Sequence, residues 1–461
     1  MTDKDQIARL EAENLLLKGE ITTLRGRIAS LEGLMLKVVT VKTSSNSHQS
    51  PSTDLTRKNQ SLREKSDKPV GGQTGHKGHT LKMSETPDKI EILRSDFCSV
   101  CGSSLANKDF ILATRRQVKD IPPIIPIITE YQSMAVVCHC GHCQVADFPT
   151  GVDNHIQYGP NIQSLAIYQS YYQFLPFYRL QDFFAKVCQV SLSKGTLENF
   201  IRRAAKKAEP AYEQLRQVIS FSLFVGSDET GYKLNGKKGW FLQRRVWQNA
   251  LVTFIVASSS RAKKVIEDNF PEGLPNSILC TDRLAAQLST ISKGTQLCLA
   301  HLLRDLNYLI QSEKNDWATQ FKLLLQEAIK LKQINAQYAQ NDVKALEIER
   351  KLQLLLSEEQ LNKLLTDIVK YKQTITFFRA MSKLRHGLFT FLYHQEVPFD
   401  NNSSERAIRM IKVKTKISGQ FKSLQQEFAI LRSVIDTTIK NGNSVWDAIQ
   451  AIVKCQSKAA G

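Results

Sequence analysis

Between Ile7 and Val38 apolar residues fall on a seven-residue repeat. With Ile7 as an a position, the a series is Ile7, Asn14, Ile21, Ile28 and Met35, and the d series is Leu10, Leu17, Leu24, Leu31 and Val38. Ile at a with Leu at d favours two parallel helices, and a single Asn14 at a fixes their register at a cost in stability. The flanking pairs Glu13 with Lys18, Glu20 with Arg25 and Arg27 with Glu32 have opposite sign across a parallel homodimer. Residues 1–40 therefore predict a coiled-coil dimerisation segment. The alternative, an amphipathic helix packed on its own chain, needs a wider apolar face than this stripe. Gly19, Gly26 and Gly33 each weaken the helix by about 1 kcal/mol, so the coil relies on the rest of the dimer.

The periodicity then disappears. Thr43 to Thr80 is rich in Ser, Gly and basic residues and nearly free of large apolar side chains, too few to bury a core. Residues 41–90 read as a linker whose Arg57, Lys58, Arg63, Lys65, Lys68 and Lys77 either contact phosphates or are simply solvated. Helical spacing returns over residues 151–215. There, "FAKVCQVSLSKGTLENFIRRAAKKAE" reads as two helices around a short turn, with Arg202, Arg203, Lys206 and Lys207 on the second. A helix-turn-helix entering a DNA groove and an ordinary helical hairpin share that pattern.

From Phe221 onward the pattern becomes that of strands. "FSLFVGSDETGY", "GWFLQRRVW" and "ALVTFIVASSS" predict three strands. "RAKKVIEDNF" predicts a helix, "NSILCTDRLA" a strand and "TQLCLAHLLRDL" a strand running into a helix. The order β-β-β-α-β-α-β-α describes a mixed α/β sheet with helices on its faces, with Asp228 and Asp282 at strand ends near its middle. Residues 305–391 are mostly helical and read as an insertion before the last helices.

Charge and cysteine usage narrow the partners. The 461 residues are 42% hydrophobic, as for a folded protein, and 62 Lys and Arg against 44 Asp and Glu leave a net charge of +18. Such an excess attracts polyanions, nucleic acid first and an anionic membrane surface as the alternative. No apolar run is long enough to span a bilayer and the start is too polar for a signal peptide, which predicts a cytoplasmic chain. Five of nine cysteines crowd between Cys98 and Cys143. Cys98 with Cys101 and Cys140 with Cys143 form two C-x-x-C pairs, the spacing of a tetrahedral Zn²⁺ site without an open position for catalysis. Cys138, His139 and His142 compete for the second pair.

Paired carboxylates are hard oxygen ligands for Mg²⁺ or Mn²⁺, and two such ions serve phosphodiester chemistry. Asp228 and Asp282 are candidates, although Asp282 also suits a helix cap and Glu229 could exchange with Asp228. Glu405 is a third. With Asn402 as N-cap it is equally the N3 residue of a capping box. Arg406, Arg409, Lys412, Lys414 and Lys416 follow it on one predicted helix and suit contacts to a nearby DNA strand.

In order along the chain, "SSNSHQSPSTD", "GGQTGHKGHT", the two C-x-x-C pairs, "SDETGY", "CTDRLAAQ", "CLAHLLRDL" and "FDNNSSERAIRMIKVKTKISGQFKS" resemble the transposases of bacterial insertion sequence 66 elements. The resemblance covers nearly the whole chain. It implies a multidomain DDE transposase with a ribonuclease H-like catalytic domain at 216–304 and 392–424, the helical insertion at 305–391 and a C-terminal helical segment at 425–461. Ahead of these stand the coiled coil, the DNA-contacting arm, the zinc-binding domain at 91–150 and the helical region at 151–215. The implied triad is Asp228, Asp282 and Glu405, acting with Mg²⁺ on double-stranded DNA, at element ends and target, in the bacterial cytoplasm. Accessory proteins of the same element are possible partners, and a catalytically inactive DNA-binding repressor of the same fold is the alternative. Two features depart from the family pattern. "CHCGHC" offers an extra Cys138, and 123 positions separate Asp282 from Glu405. Cys298 and His301 match a C-x-x-H found in related groups, though a satisfied core His beside a buried Cys explains them as well.

Overall fold

The computed structural model describes residues 3–39, 75–78, 80–247 and 251–455, with side chains throughout except at 3–12, 29, 32–34, 36–39, 242–247, 251, 403, 405 and 406. Most of the linker, including Arg57, Lys58, Arg63, Lys65 and Lys68, lies outside the described residues. Helix α1 (Asp3–Val39) runs unbroken through its glycines. Leu17, Ile21, Leu24, Ile28, Leu31 and Met35, all on the heptad seam, are exposed on the single chain.

The chain divides into two units, one of them residues 58–127 with 187–189. Within its described part the backbone runs in turns and extended stretches. The Gln117 side chain closes a two-way bond with Ser84, accepting from its N–H at 2.7 Å and donating to its carbonyl at 2.8 Å.

The larger unit holds a short hairpin, β1 (Ala135–Val137) and β2 (Cys143–Val145), then helices α2 (Pro160–Ile167), α3 (Phe177–Val187) and α4 (Lys194–Ser220). Leu197, Phe200, Ile201, Ala204, Ala205 and Ala208 recur on one face of α4, which is buried, and Ser193 caps its start by accepting from the Thr196 N–H. Next come β3 (Phe224–Leu234), β4 (Lys237–Trp247), β5 (Leu251–Ser258), α5 (Lys263–Asn269), β6 (Leu274–Thr281), α6 (Ala285–Leu288), β7 (Ser292–Leu297) and α7 (Leu299–Glu313). That is the β-β-β-α-β-α-β-α order expected from the hydrophobic pattern. Strand order in the sheet is β5-β4-β3-β6-β7, so the first strand made becomes the central one. β3, β4 and β5 are antiparallel, whereas β6 pairs parallel with β3 and β7 parallel with β6. The β3–β4 turn is Asn235-Gly236 with φ of 48° and 77°, the left-handed pair that a two-residue hairpin requires.

Helices α8 (Asp316–Ile334), α9 (Val343–Leu355), α10 (Glu358–Leu365), α11 (Lys372–Leu384) and α12 (Thr390–Tyr393) form the region read as an insertion. It has no separate core: Trp317, Phe321, Phe378 and Met381 pack in one cluster with Leu302 and Leu306 of α7 and with Phe224, Ile278 and Leu297 of the sheet. Glu313 at the end of α7 caps α11, accepting from Thr374 Oγ1 at 2.7 Å and from the N–H groups of Gln373 and Thr374 at 3.1 and 3.2 Å.

Helix α13 (Asn402–Ser418), α14 (Gln425–Lys440) and α15 (Val445–Lys454) complete the unit. Ile408 and Ile411 of α13 and Phe428, Leu431 and Ile435 of α14 share a core with Tyr232, Phe241 and Ile255 of the sheet. α14 also closes the open edge of β5. Thr437 Oγ1 and Ser433 Oγ accept from the N–H groups of Thr253 and Ile255 at 3.1 and 2.9 Å, and Gln426 Nε2 donates to the Ala257 carbonyl at 3.0 Å. An unpaired edge strand is thereby satisfied by side chains.

Candidate active site

Two parallel strands bring the aspartates together. In the β3–β6 ladder Phe224 pairs with Ile278 and Gly226 with Cys280. Two residues further along each chain stand Asp228 and Asp282. Because side chains alternate across a strand, both carboxylates lie on the face that Phe224 and Ile278 use for the core. Asp282 follows directly on the end of β6, as expected. Asp228 instead sits inside an eleven-residue strand, and what ends beside it is the pairing with β6, while β3 continues along β4. Both side chains are half-buried. Asp282 Oδ1 accepts from the Leu284 N–H at 3.3 Å, the local turn bond that its capping alternative anticipated, although the N-cap of α6 is Leu284.

Glu229 is on the opposite face. Its carboxylate accepts from Gln287 Nε2 at 2.7 Å and lies 3.7 Å from Arg261. Asp228 is thus the acid of this pair that shares a face with Asp282.

The start of α13 descends onto the same face through a gap in β3. A Cβ on Gly226 would lie 2.7 Å from Asn401 Oδ1 and 2.8 Å from Ser404 Oγ, so this close approach exists only because position 226 has no side chain. Asn401 Nδ2 donates to the Ser227 carbonyl at 2.6 Å, and its N–H donates to Cys298 Sγ at 3.2 Å. Glu405 is the residue after Ser404, placing its backbone over the strand that carries Asp228. The side chains of Glu405 and Arg406 lie outside the described ones. The N-cap is Asn401 rather than Asn402, which makes Ser404 the N3 residue and Glu405 the fourth of the helix. Asp400 takes over the capping work: its Oδ1 accepts from the Asn402 N–H at 3.0 Å and its Oδ2 from Asn402 Nδ2 at 2.6 Å.

Burial pushes the Cys280 thiol well above its ordinary value, and the negative groups around it, Cys298, Asp400 and Asp282, push the same way. Asp400 therefore belongs to this acidic neighbourhood, and sequence reasoning missed it along with Gly226, Asn401 and Ser404. A glycine inside an apolar strand was the available signal. Cys298 and His301 are buried with Sγ and Nδ1 3.2 Å apart beneath the start of α13, the arrangement of a core pair.

The basic residues of α13 divide. Arg409 and Lys416 are exposed. Lys412 is exposed as a residue, but its ammonium folds back against the sheet and donates to the Gly231 carbonyl at 3.1 Å. Lys414 turns inward, its ammonium 3.4 Å from the Ser170 carbonyl and 5.9 Å from the centre of the Tyr171 ring.

The cysteine turns close on their own backbone. In the first, the Cys98 N–H donates to the Ser103 carbonyl and the Gly102 N–H to that of Cys98, both at 2.9 Å. Hydrogen bonds from Ser103 hold the exposed Cys101 thiol down at about 7. In the second, the Cys138 N–H donates to the His142 carbonyl and the Gly141 N–H to that of Cys138, both at 2.8 Å. The neighbouring thiol there is Cys140, whose bonds hold Cys138 below the usual range. Among the described residues no three His, Cys, Asp or Glu side chains stand together to hold a metal ion. Asp228 and Asp282 offer the hard oxygen donors that Mg²⁺ and Mn²⁺ take, but among the described residues no third acid stands with them as a metal-holding group.

Among the described residues no helix is long and apolar enough to cross a membrane. A protein-family model described as Transposase IS66 family matches residues 155–427, more than half of the chain. No curated protein matches it.

Proposed function

The chain belongs to the IS66 family of transposases, and from that premise we propose that it cuts DNA at the ends of its own element and joins the freed 3'-hydroxyl to target DNA. The observation that carries this reading is the β3–β6 register, which sets Asp228 beside Asp282 on the face where α13 enters through Gly226. Three antiparallel strands, two parallel ones and an acid on a later helix support a ribonuclease H-like catalytic domain. Asp228, Asp282 and Glu405 would hold Mg²⁺ or Mn²⁺. When bound, such ions supply activation of the attacking oxygen and stabilisation of the leaving one.

The chain's own residues prepare that chemistry. Asn401 and Ser404 lock the start of α13 against β3 and so fix where Glu405 leaves the helix. Arg406, Arg409, Lys412 and Lys416 line the same helix beyond it and meet the phosphodiester charge, which binding without base contacts requires. Phe224, Ile278 and Cys280, buried two and four positions before the aspartates on their strands, bound the site with apolar side chains. A homodimer joined through α1 would present two such sites to the two ends of the element.

Replacing Glu405 with Gln, or either aspartate with Asn, should leave binding of an end-bearing duplex within about twofold. Cleavage in Mg²⁺ or Mn²⁺ should fall by about a thousandfold, or roughly 4 kcal/mol of transition-state stabilisation. An E405Q protein that cuts at the wild-type rate would reduce Glu405 to a helix residue. Wild-type protein that binds ends and cuts in neither metal would favour a DNA-binding relative without catalysis.

A further inference from the structure

Past the candidate active site, the β3–β4 hairpin carries lysines that the reaction above does not use. From Thr230 to Trp240 the chain contains Lys233, Lys237 and Lys238 and neither Asp nor Glu. From Arg406 to Gln426 acids are again absent, and Lys422 joins the α13 cations. Lys233, Lys237, Lys238, Lys412, Lys416 and Lys422 are all exposed.

These two acid-free stretches meet in space. The Asn235 N–H donates to the Phe421 carbonyl at 3.0 Å, and the Phe421 N–H to the Lys233 carbonyl at 2.8 Å. Gly236 N–H donates to Gln420 Oε1 at 2.8 Å and Asn235 Nδ2 to the Lys422 carbonyl at 3.0 Å. The hairpin tip is thus pinned, and its lysines occupy a fixed surface rather than a loose tail. Lys233 and Lys238 are cross-strand partners, a like-charge pairing that weakens a hairpin. Burial holds the Lys412 ammonium below the usual lysine range, with Lys238 and Lys416 pushing the same way. Repulsion built into a rigid surface is relieved by a polyanion.

Alternation puts Lys233 and Lys238 with Glu229 on the face opposite Asp228, and Lys412 of α13 links that surface to the site around the strand. Lys412 reaches the carbonyl of Gly231, three residues beyond Asp228 and so about 10 Å along the strand. Gly231 pairs with Trp240, and the Lys238 ammonium and Arg261 guanidinium lie 4.5 and 4.6 Å from the Trp240 ring centre. The ring holds both cations in place.

We propose that the β3–β4 hairpin and the loop after α13 form a sequence-independent grip on the phosphodiester backbone of DNA leading away from the cleavage point, with Lys233, Lys237, Lys238 and Lys422 as its contacts. The proposal rests on the transposase reading above. Its test compares wild-type protein with a K233Q/K237Q/K238Q variant on an end-bearing duplex and on an unrelated duplex of equal length, across a KCl series. Each lost phosphate contact lowers the slope of log K against log salt by about 0.9, so the variant slope should be shallower by about 2 to 3 on both duplexes. On wild-type protein, bound DNA should shield Lys237, Lys238 and Lys422 from acetylation, a readout that needs no variant. Unchanged slopes, unshielded lysines, or a loss confined to the end-bearing duplex would each overturn the grip while leaving the transposase reading standing. Wild-type protein that binds neither duplex would overturn both.

Discussion

At the scale of single residues, Lys414 shows how far spacing along a helix can be trusted. Its position among Arg409, Lys412 and Lys416 suggests a phosphate contact, but the segment around Ser170 and Tyr171 covers it. A helical repeat says nothing about which distant segment lies on a face. Burial pushes the Lys414 ammonium down to about 8, against about 10.4 in an unfolded chain. Below pH 8 both states are protonated and the folded one carries the full desolvation penalty. As pH rises from 8 towards 10.4 the unfolded chain holds the extra proton, and the penalty fades. Lys414→Met should therefore raise the thermal midpoint at pH 7, by about 2 °C if the gain reaches 2 kcal/mol. The gain should shrink to nothing near pH 10.5 in a melting series. A midpoint difference independent of pH would mean the ammonium is not held where the structure has it. The aspartates are the opposite case. Asp228 and Asp282 could be proposed because each closes an apolar run, although Asp228 falls inside β3, whereas Asn401 acts through contacts with Cys298 and Ser227, more than 100 positions away.

Among elements, the join between α13 and β3 is where the site is made. Gly226→Ala would set a methyl group 2.7 Å from Asn401 Oδ1 and 2.8 Å from Ser404 Oγ, both on buried side chains, so one of them must shift. Overpacking of this kind costs about 1–3 kcal/mol. The expected result is a lower thermal midpoint together with cleavage reduced at least as far as by Ser404→Ala, measured on the same duplex. Full activity in the G226A protein would mean that α13 can dock elsewhere. The order of elements along the chain could be read because the strands are apolar runs bounded by turn residues, whereas the sheet order β5-β4-β3-β6-β7 could not. The length of β3 could not: its far half is held by the hairpin and by Phe421, not by the β6 pairing that the motif marks. The helix start was misread for a similar reason, since Asp400 and Asn402 both suit a cap and tertiary contacts at Asn401 decided between them.

For the molecule as a whole, the exposed seam of α1 and the shared core of the helical insertion matter most. If the seam is a dimer interface, removing residues 1–39 should convert a dimer into a monomer by sedimentation while leaving single-site cleavage chemistry intact. A full-length monomer would show that these exposed side chains serve something else. The heptad was plain in the sequence because a coil repeats locally. The insertion's dependence on the sheet was hidden, because Trp317 and Phe378 meet Phe224 and Leu297 only in the folded chain. That dependence, with Asn401 bonding back to Ser227 across 174 positions, orders events during synthesis. A ribosome adding about 5–20 residues per second needs roughly ten seconds or more between the first aspartate strand and the helix that completes the site. For all that time the emerging chain has its basic hairpin and both aspartates but not the proposed third acid. A chain stopped between Leu299 and Asp400 would thus lack, besides the start of α13, the Gln420 and Phe421 contacts that pin the hairpin and the α14 side chains that close β5, so the basic surface and the aspartate strand depend on the same late segment.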